Sequence, residues 1–149
     1  MQIRQAMKRF LPDKLKIHSQ VDIVRPTLLV NVKRVRSNIH RMNRKAQQSG
    51  VTFRPHFKTH QSARIGEWFR EAGIEKITVS SLTMAEYFTQ HGWKDITVAF
   101  PVNIRENKLI QKLARQIQLN LLVESEETVS FLKTHIKTEV GIWIKVDVG

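Results

Sequence analysis

Between Arg54 and His60 the chain reads Arg-Pro-His-Phe-Lys-Thr-His, so Arg54, His56, Lys58 and His60 fall within one short stretch. The residues before it, Val51 to Phe57, alternate as a strand does, and alternate residues of a strand share a face. Val51, Phe53, Pro55 and Phe57 fall on one side, suited to packing against helices. Thr52, Arg54, His56 and Lys58 fall on the other, and Lys58 comes last, at the carboxyl end. Positive neighbours disfavour an ammonium, and a neutral amine attacks a carbonyl to form a Schiff base. The expectation is therefore amine chemistry at Lys58, with Thr59 and His60 just past the strand lining the same site. The plainer alternative is a lysine whose stem covers apolar surface while its head stays in water. His56 and His60 have the i, i+4 spacing of a helical zinc pair, but the segment reads as strand then loop, so no metal site is assigned there.

What must position this segment is a series of β-α units. Residues 24–30 (VRPTLLV) and 51–57 (VTFRPHF) read as the first two strands. Between them Val32, Val35, Ile39, Met42 and Ala46 recur at helical spacing after Asn31, a capping residue, and Gly50 ends the helix. Ile65, Trp68, Phe69 and Ala72 form the next helical stripe, closed by Gly73. Residues 76–80, 95–100, 119–123 and 140–148 read as further strands. The helices among them begin at capping-box patterns, Thr83 with Glu86 and Asn103 with Glu106, and at Ser125, where Glu126 and Glu127 suit the positive helix end. Ser80 closes one of these strands and is expected at the same rim as Lys58.

Strict β-α alternation implies a parallel sheet with crossover helices. No Gly-x-Gly-x-x-Gly follows a strand and no phosphate-loop motif is present, which weakens an open nucleotide-binding sheet. A closed (β/α)8 barrel typically takes about 250 residues, so this chain, with six predicted strands, is either an open sheet or a partial barrel, the front part of a longer one, and its ending on a strand favours the second. Catalytic residues of such barrels sit at the carboxyl ends of the strands, where Lys58 falls.

Composition narrows the function classes. The 149 residues carry a formal net charge of +12 and no Cys, which excludes a disulfide framework, thiolate zinc ligands and thiol catalysis. No apolar run is long enough to span a membrane, and the first residues lack the apolar core of a secretory signal; the expectation is a cytoplasmic protein. Residues 1–64 hold 15 Lys/Arg against Asp13 and Asp22, whereas residues 65–149 are nearly balanced. Six of these basic residues lie between Lys33 and Lys45, a pattern expected of a solvated helix face. No nucleic-acid motif accompanies them, so nucleic acid is not an expected partner, although polyanion binding at low salt would follow from the charge.

The stretches RPTLLVNVKRVRSNIHRM, VTFRPHFKTH, ITVSSLTMAE, DITVAFPV and IKVDVG together resemble the N-terminal part of the D-threonine aldolase and D-serine dehydratase-like family. The resemblance runs from about Arg25 to Gly149, and Arg-Pro-His-x-Lys-Thr-His is its most specific element. It implies a pyridoxal-phosphate lyase with a barrel of the alanine racemase type, acting on small D-hydroxy amino acids and working as a homodimer. It implies that Lys58 carries the cofactor as a Schiff base; Arg54, His56, Thr59, His60 and Ser80, by their positions around it, are then expected to contribute to cofactor binding. It further implies a divalent metal whose ligands lie outside these 149 residues. By that resemblance residues 1–24 are an extension, 25–50 a strand and helix leading into the barrel, and 51–149 its first five or so β/α units. Gln61, Ser80 and Phe100 depart from the residues expected in many relatives. Two other readings stay open: a non-catalytic remnant with a basic, polyanion-binding half, and a pyridoxal-phosphate homeostasis or racemase-type protein.

Overall fold

The computed structural model describes residues 23–149 and divides the chain into two compact units, residues 1–31 and 32–149. Most of the extension expected over residues 1–24 lies outside the described part. In the first unit, residues 24–30 form no strand; the Thr27 hydroxyl donates to the Arg25 carbonyl in a local turn at Pro26. Strand propensity is mostly a fitness for pairing and burial, and this β-rich stretch has no ladder to join.

The second unit opens with helix α1, Val32–Gln48, which buries Ile39 and Ala46 from the predicted stripe. Gly50 follows at φ +64°, where a side chain would be strained, and the Val51 amide turns back to the Ala46 carbonyl. The expected strand at 51–57 is reduced to a single parallel bridge, His56 to Thr78, with the Thr78 amide donating to the Pro55 carbonyl. Pro55 has no N–H to extend a ladder, and the chain turns into a 3₁₀ helix at Phe57–Thr59.

Four parallel strands follow, alternating with helices: α2 (Ala63–Glu71), β1 (Lys76–Val79), α3 (Leu82–Gln90), β2 (Asp95–Pro101), α4 (Asn107–Ala114), β3 (Gln118–Val123), α5 (Glu126–His135) and β4 (Gly141–Ile144). Serine hydroxyls cap three of the helices: Ser62 accepts from Ile65 N–H, Ser81 from Met84 N–H and Ser125 from Thr128 N–H. The expected Thr83–Glu86 box is not formed. Ser81 already holds the first turn of α3, and Glu86 instead accepts from Lys112 on α4. Asn103 caps a 3₁₀ turn, Ile104–Glu106, that precedes α4 rather than α4 itself.

The strands lie in the order β1-β2-β3-β4. A doubly wound sheet reverses its strand order at a switch point; this one never does. Its helices also cover one face. Ile77 and Val79, Ile96 and Val98, and Leu119, Leu121 and Val123 alternate along the strands and form one core with Leu82, Phe88, Ile110, Leu113 and Leu132 of the helices. Sequential order with one-sided winding is an arc of a (β/α)8 barrel, and it decides against the open sheet.

The opposite face, which lines the inside of that arc, is polar. Lys76, Asp95 and Gln118 share its lowest row, at the amino ends of the strands. Thr78, Thr97, Asn120 and Gly141 share the next, in step with His56. Near its carboxyl end β2 leaves the regular register between Val98 and Pro101, and Phe100 stands exposed there.

Candidate active site

Phe57 fixes the segment that carries Lys58. It is fully buried, and its ring lies 4.5 Å from His60, 5.1 Å from Phe69, 5.0 Å from Phe88 and 5.1 Å from Trp93, centroid to centroid. Gly66 lets α2 approach this ring, since a Cβ there would stand 3.2 Å from the Phe57 Cε2. With Phe57 driven into the helical layer, its neighbours His56 and Lys58 are left outside that layer.

His56 ends the bridge to β1 and caps the turn: its Nδ1 accepts from the Lys58 N–H at 3.2 Å. That bond leaves the ring proton of the neutral imidazole on Nε2. Partial burial, and then the positive charge of Lys58, lower the pKa of His56 below its ordinary value. Lys58 itself is exposed, two residues past the bridge. Ser80 lies two residues past Thr78, the partner of His56, and is half-buried. Lys58 lies in the 3₁₀ turn just past the bridge and Ser80 just past the end of β1, both on the carboxyl side of that pairing. Ser80 also lines a cavity of about 310 Å³ with Ser81, Phe100, Asn103 and Glu106 over Val98, Ile110 and Leu121.

The other residues singled out from the sequence lie elsewhere. Thr59 is exposed and its hydroxyl donates to the His56 carbonyl at 3.4 Å. His60 turns inward, stacked on Phe69 at 5.8 Å, with Nδ1 accepting from the Ser62 N–H at 3.1 Å. Burial lowers its pKa. Gln61 follows at φ +45°, with its amide donating to the Phe57 carbonyl.

Arg54 lies lower, toward the amino ends of the strands. Its Nη1 donates to Asp95 Oδ1 at 2.7 Å and to the Ile77 carbonyl at 3.3 Å. The same Asp95 oxygen accepts from Asn120 Nδ2 at 3.1 Å, and Lys76 Nζ stands 3.6 Å from its other oxygen. Asn120 fits only because residue 141 is glycine; a Cβ there would meet its Oδ1 at 2.1 Å. The sequence reading passed over Asp95 and Asn120. Their signal was a polar residue set into an apolar strand, at the parity of the face away from the helices.

The sequence model for the alanine racemase N-terminal domain matches residues 30–149. The chain belongs to that family. Within the alanine racemase N-terminal domain family it is similar to a D-threo-3-hydroxyaspartate dehydratase of Delftia sp. (strain HT23), 32% identical over 82% of this chain and 33% of that protein. It is also similar to a D-serine dehydratase of Dictyostelium discoideum, 34% identical over 80% of this chain and 30% of that protein. A solved D-threonine aldolase from Filomicrobium marinum shares the fold, with a TM-score of 0.78 at 17% identity over 83% of this chain and 35% of that one. The chain thus spans about a third of the length of the relatives it matches. The barrel architecture expected from the β-α alternation is the one these relatives carry.

Proposed function

We propose that this chain forms the cofactor-anchoring part of a pyridoxal-phosphate-dependent lyase acting on D-hydroxy amino acids, with Lys58 as the residue that holds the cofactor. The observation that carries the reading is the placement of Lys58. It is an exposed amine at the carboxyl rim of a parallel barrel arc, held there by the buried Phe57 beside it. Relatives named as a D-threo-3-hydroxyaspartate dehydratase, a D-serine dehydratase and a 3-hydroxy-D-aspartate aldolase supply the substrate class.

When bound, the cofactor supplies the electron sink, and the protein supplies position and electrostatics. The chain's own residues fit that division. Lys58 Nζ offers a primary amine to an aldehyde, and once displaced by a substrate amine it is free to act as a general base at the substrate's Cα or hydroxyl. In its neutral form His56 presents its Nε2–H, because Nδ1 accepts from the Lys58 amide, and partial burial favours that form. Ser80 offers a hydroxyl at the same rim, and Thr59 braces the turn through the His56 carbonyl. His60 supports the turn from the helix side, and its contacts are with aromatic rings. The resemblance also implies a divalent metal. Among the described residues no three His or carboxylate side chains converge, so the residues present do not fit that group and no step is assigned to it.

The test is reaction of the purified chain with pyridoxal phosphate, reduction with borohydride, and peptide mapping. The expected result is a pyridoxyl group on Lys58, lost in Lys58→Ala. Labelling spread evenly over the lysines, or unchanged in K58A, sinks the assignment. Steeply salt-dependent binding of a polyanion that K58A leaves intact would favour the basic-remnant reading instead.

A further inference from the structure

Beyond the buried Phe57 ring, the segment bearing Lys58 has little of its own to hold it in register. It joins the sheet through one bridge at His56 and one backbone hydrogen bond, from Thr78 N–H to the Pro55 carbonyl. A segment paired so briefly is weakly specified along its own axis. The strongest remaining tie is Arg54. Its side chain is 19% exposed and that of Asp95 13%, so the ion pair is largely withdrawn from water.

We infer that Arg54, Asp95 and Asn120 form a register lock on the inner face, and that Arg54 is a positioning residue which sets the height at which Lys58 reaches the rim. The inference rests on the reading of Lys58 given above. The lock joins four elements through one carboxylate. Arg54 brings in the Lys58 segment and touches the Ile77 carbonyl of β1; Asp95 belongs to β2; Asn120, on β3, also donates to the Ile96 carbonyl at 3.4 Å. Gly141 on β4 supplies the space that Asn120 needs. A slip of one residue would put Pro55 where Arg54 stands, leave Asp95 with only Asn120 and the more exposed Lys76, and turn Lys58 to the helix side. Taking the better-buried cation from a largely buried carboxylate is unfavourable, so the pair favours one register. An apolar pair of similar volume would fill the space without opposing the slip.

The test compares Arg54→Met and Asp95→Asn with the parent chain, and uses Arg36→Met, which breaks the exposed Arg36–Glu71 pair, as control. Two quantities are read in variants whose circular dichroism shows them folded: the rate of pyridoxal phosphate and borohydride labelling at Lys58, and amide hydrogen exchange. R54M and D95N are expected to slow labelling at Lys58 about tenfold while the other lysines label as before. The Lys58 and Gln61 amides, which donate to His56 Nδ1 and the Phe57 carbonyl, are expected to exchange about tenfold faster, with those of β3 and α4 unchanged. R54K restores part of both, and R36M changes neither. Should R54M not fold, D95N and R54K carry the comparison. Unchanged exchange and labelling in a folded R54M or D95N overturns the lock, as does a uniform rise in exchange across the sheet. If the parent chain does not label at Lys58 while the local exchange changes occur, the lock stands and the cofactor reading falls.

Discussion

Replacing Phe57 by alanine tests stability and site together. Phe57 is wholly buried and touches four other rings, from His60, Phe69, Phe88 and Trp93. Truncating such a ring to a methyl group costs about 3–5 kcal/mol, made of lost transfer energy and the cavity left behind. Edge-on contacts of the kind made with Phe88 and Trp93 place it toward the upper part of that range. For a chain of this length each kcal/mol lowers Tm by about 2–4 °C, so Phe57→Ala is expected to melt ~6–20 °C below the parent. Phe57→Leu keeps most of the volume and is expected to lose less than half as much. The functional consequence follows from adjacency, because the ring is what holds His56 and Lys58 out of the helical layer. Thermal and urea unfolding give the stability change, and borohydride labelling gives the yield at Lys58. A melting point for F57A within 2 °C of the parent's, or undiminished Lys58 labelling in F57A under conditions where it is folded, would refute the account of the turn.

Two further outcomes can be checked by equilibrium unfolding. Gly141→Ala is expected to lower stability by ~1–3 kcal/mol through overpacking against Asn120; in an Asn120→Ala background, where the opposing oxygen is gone, the same change should cost about 1 kcal/mol less. The pH dependence follows from His56 and His60, whose folded pKa values lie below the unfolded value of 6.5. Below that pH the unfolded chain binds the protons first, so stability falls as pH drops through 6.5 toward the folded values and gains nothing above it. His60→Gln is expected to reduce the fall in urea midpoint between pH 7.5 and 5.5, and an unchanged difference would remove His60 as a contributor.

The alternation of strands and helices was legible because each helix carries its own signals. Ser125 with Glu126 and Glu127, and the Ile39 and Ala46 stripe closed by Gly50, needed no tertiary information. The strand at 24–30 was overread, since a β-rich composition says nothing of whether a partner lies alongside. At 51–57 the face assignment held for Pro55 and Phe57, which are buried, and for Arg54, committed to the other side, but not for Val51, which is exposed. The length did not hold, because Pro55 interrupts the ladder. Thr83 and Glu86 match a capping box in spacing, yet Ser81, two residues earlier, took the cap. Local sequence cannot rank two competing hydroxyls, nor foresee that Lys112 would claim Glu86. At the site, that Arg54 and Phe57 face opposite sides was readable from strand parity. The partnership of Arg54 with Asp95 was not, because it joins residues 41 apart in the chain.

The charged row at the amino ends of the strands has a bearing on traffic. Arg54, Lys76 and Asp95 hold the amino end of the inner face with groups already paired to one another. A visiting molecule that displaced them would strip a buried carboxylate of its partners. A guest on this face would therefore find its bonding partners away from that row, toward the carboxyl ends of the strands.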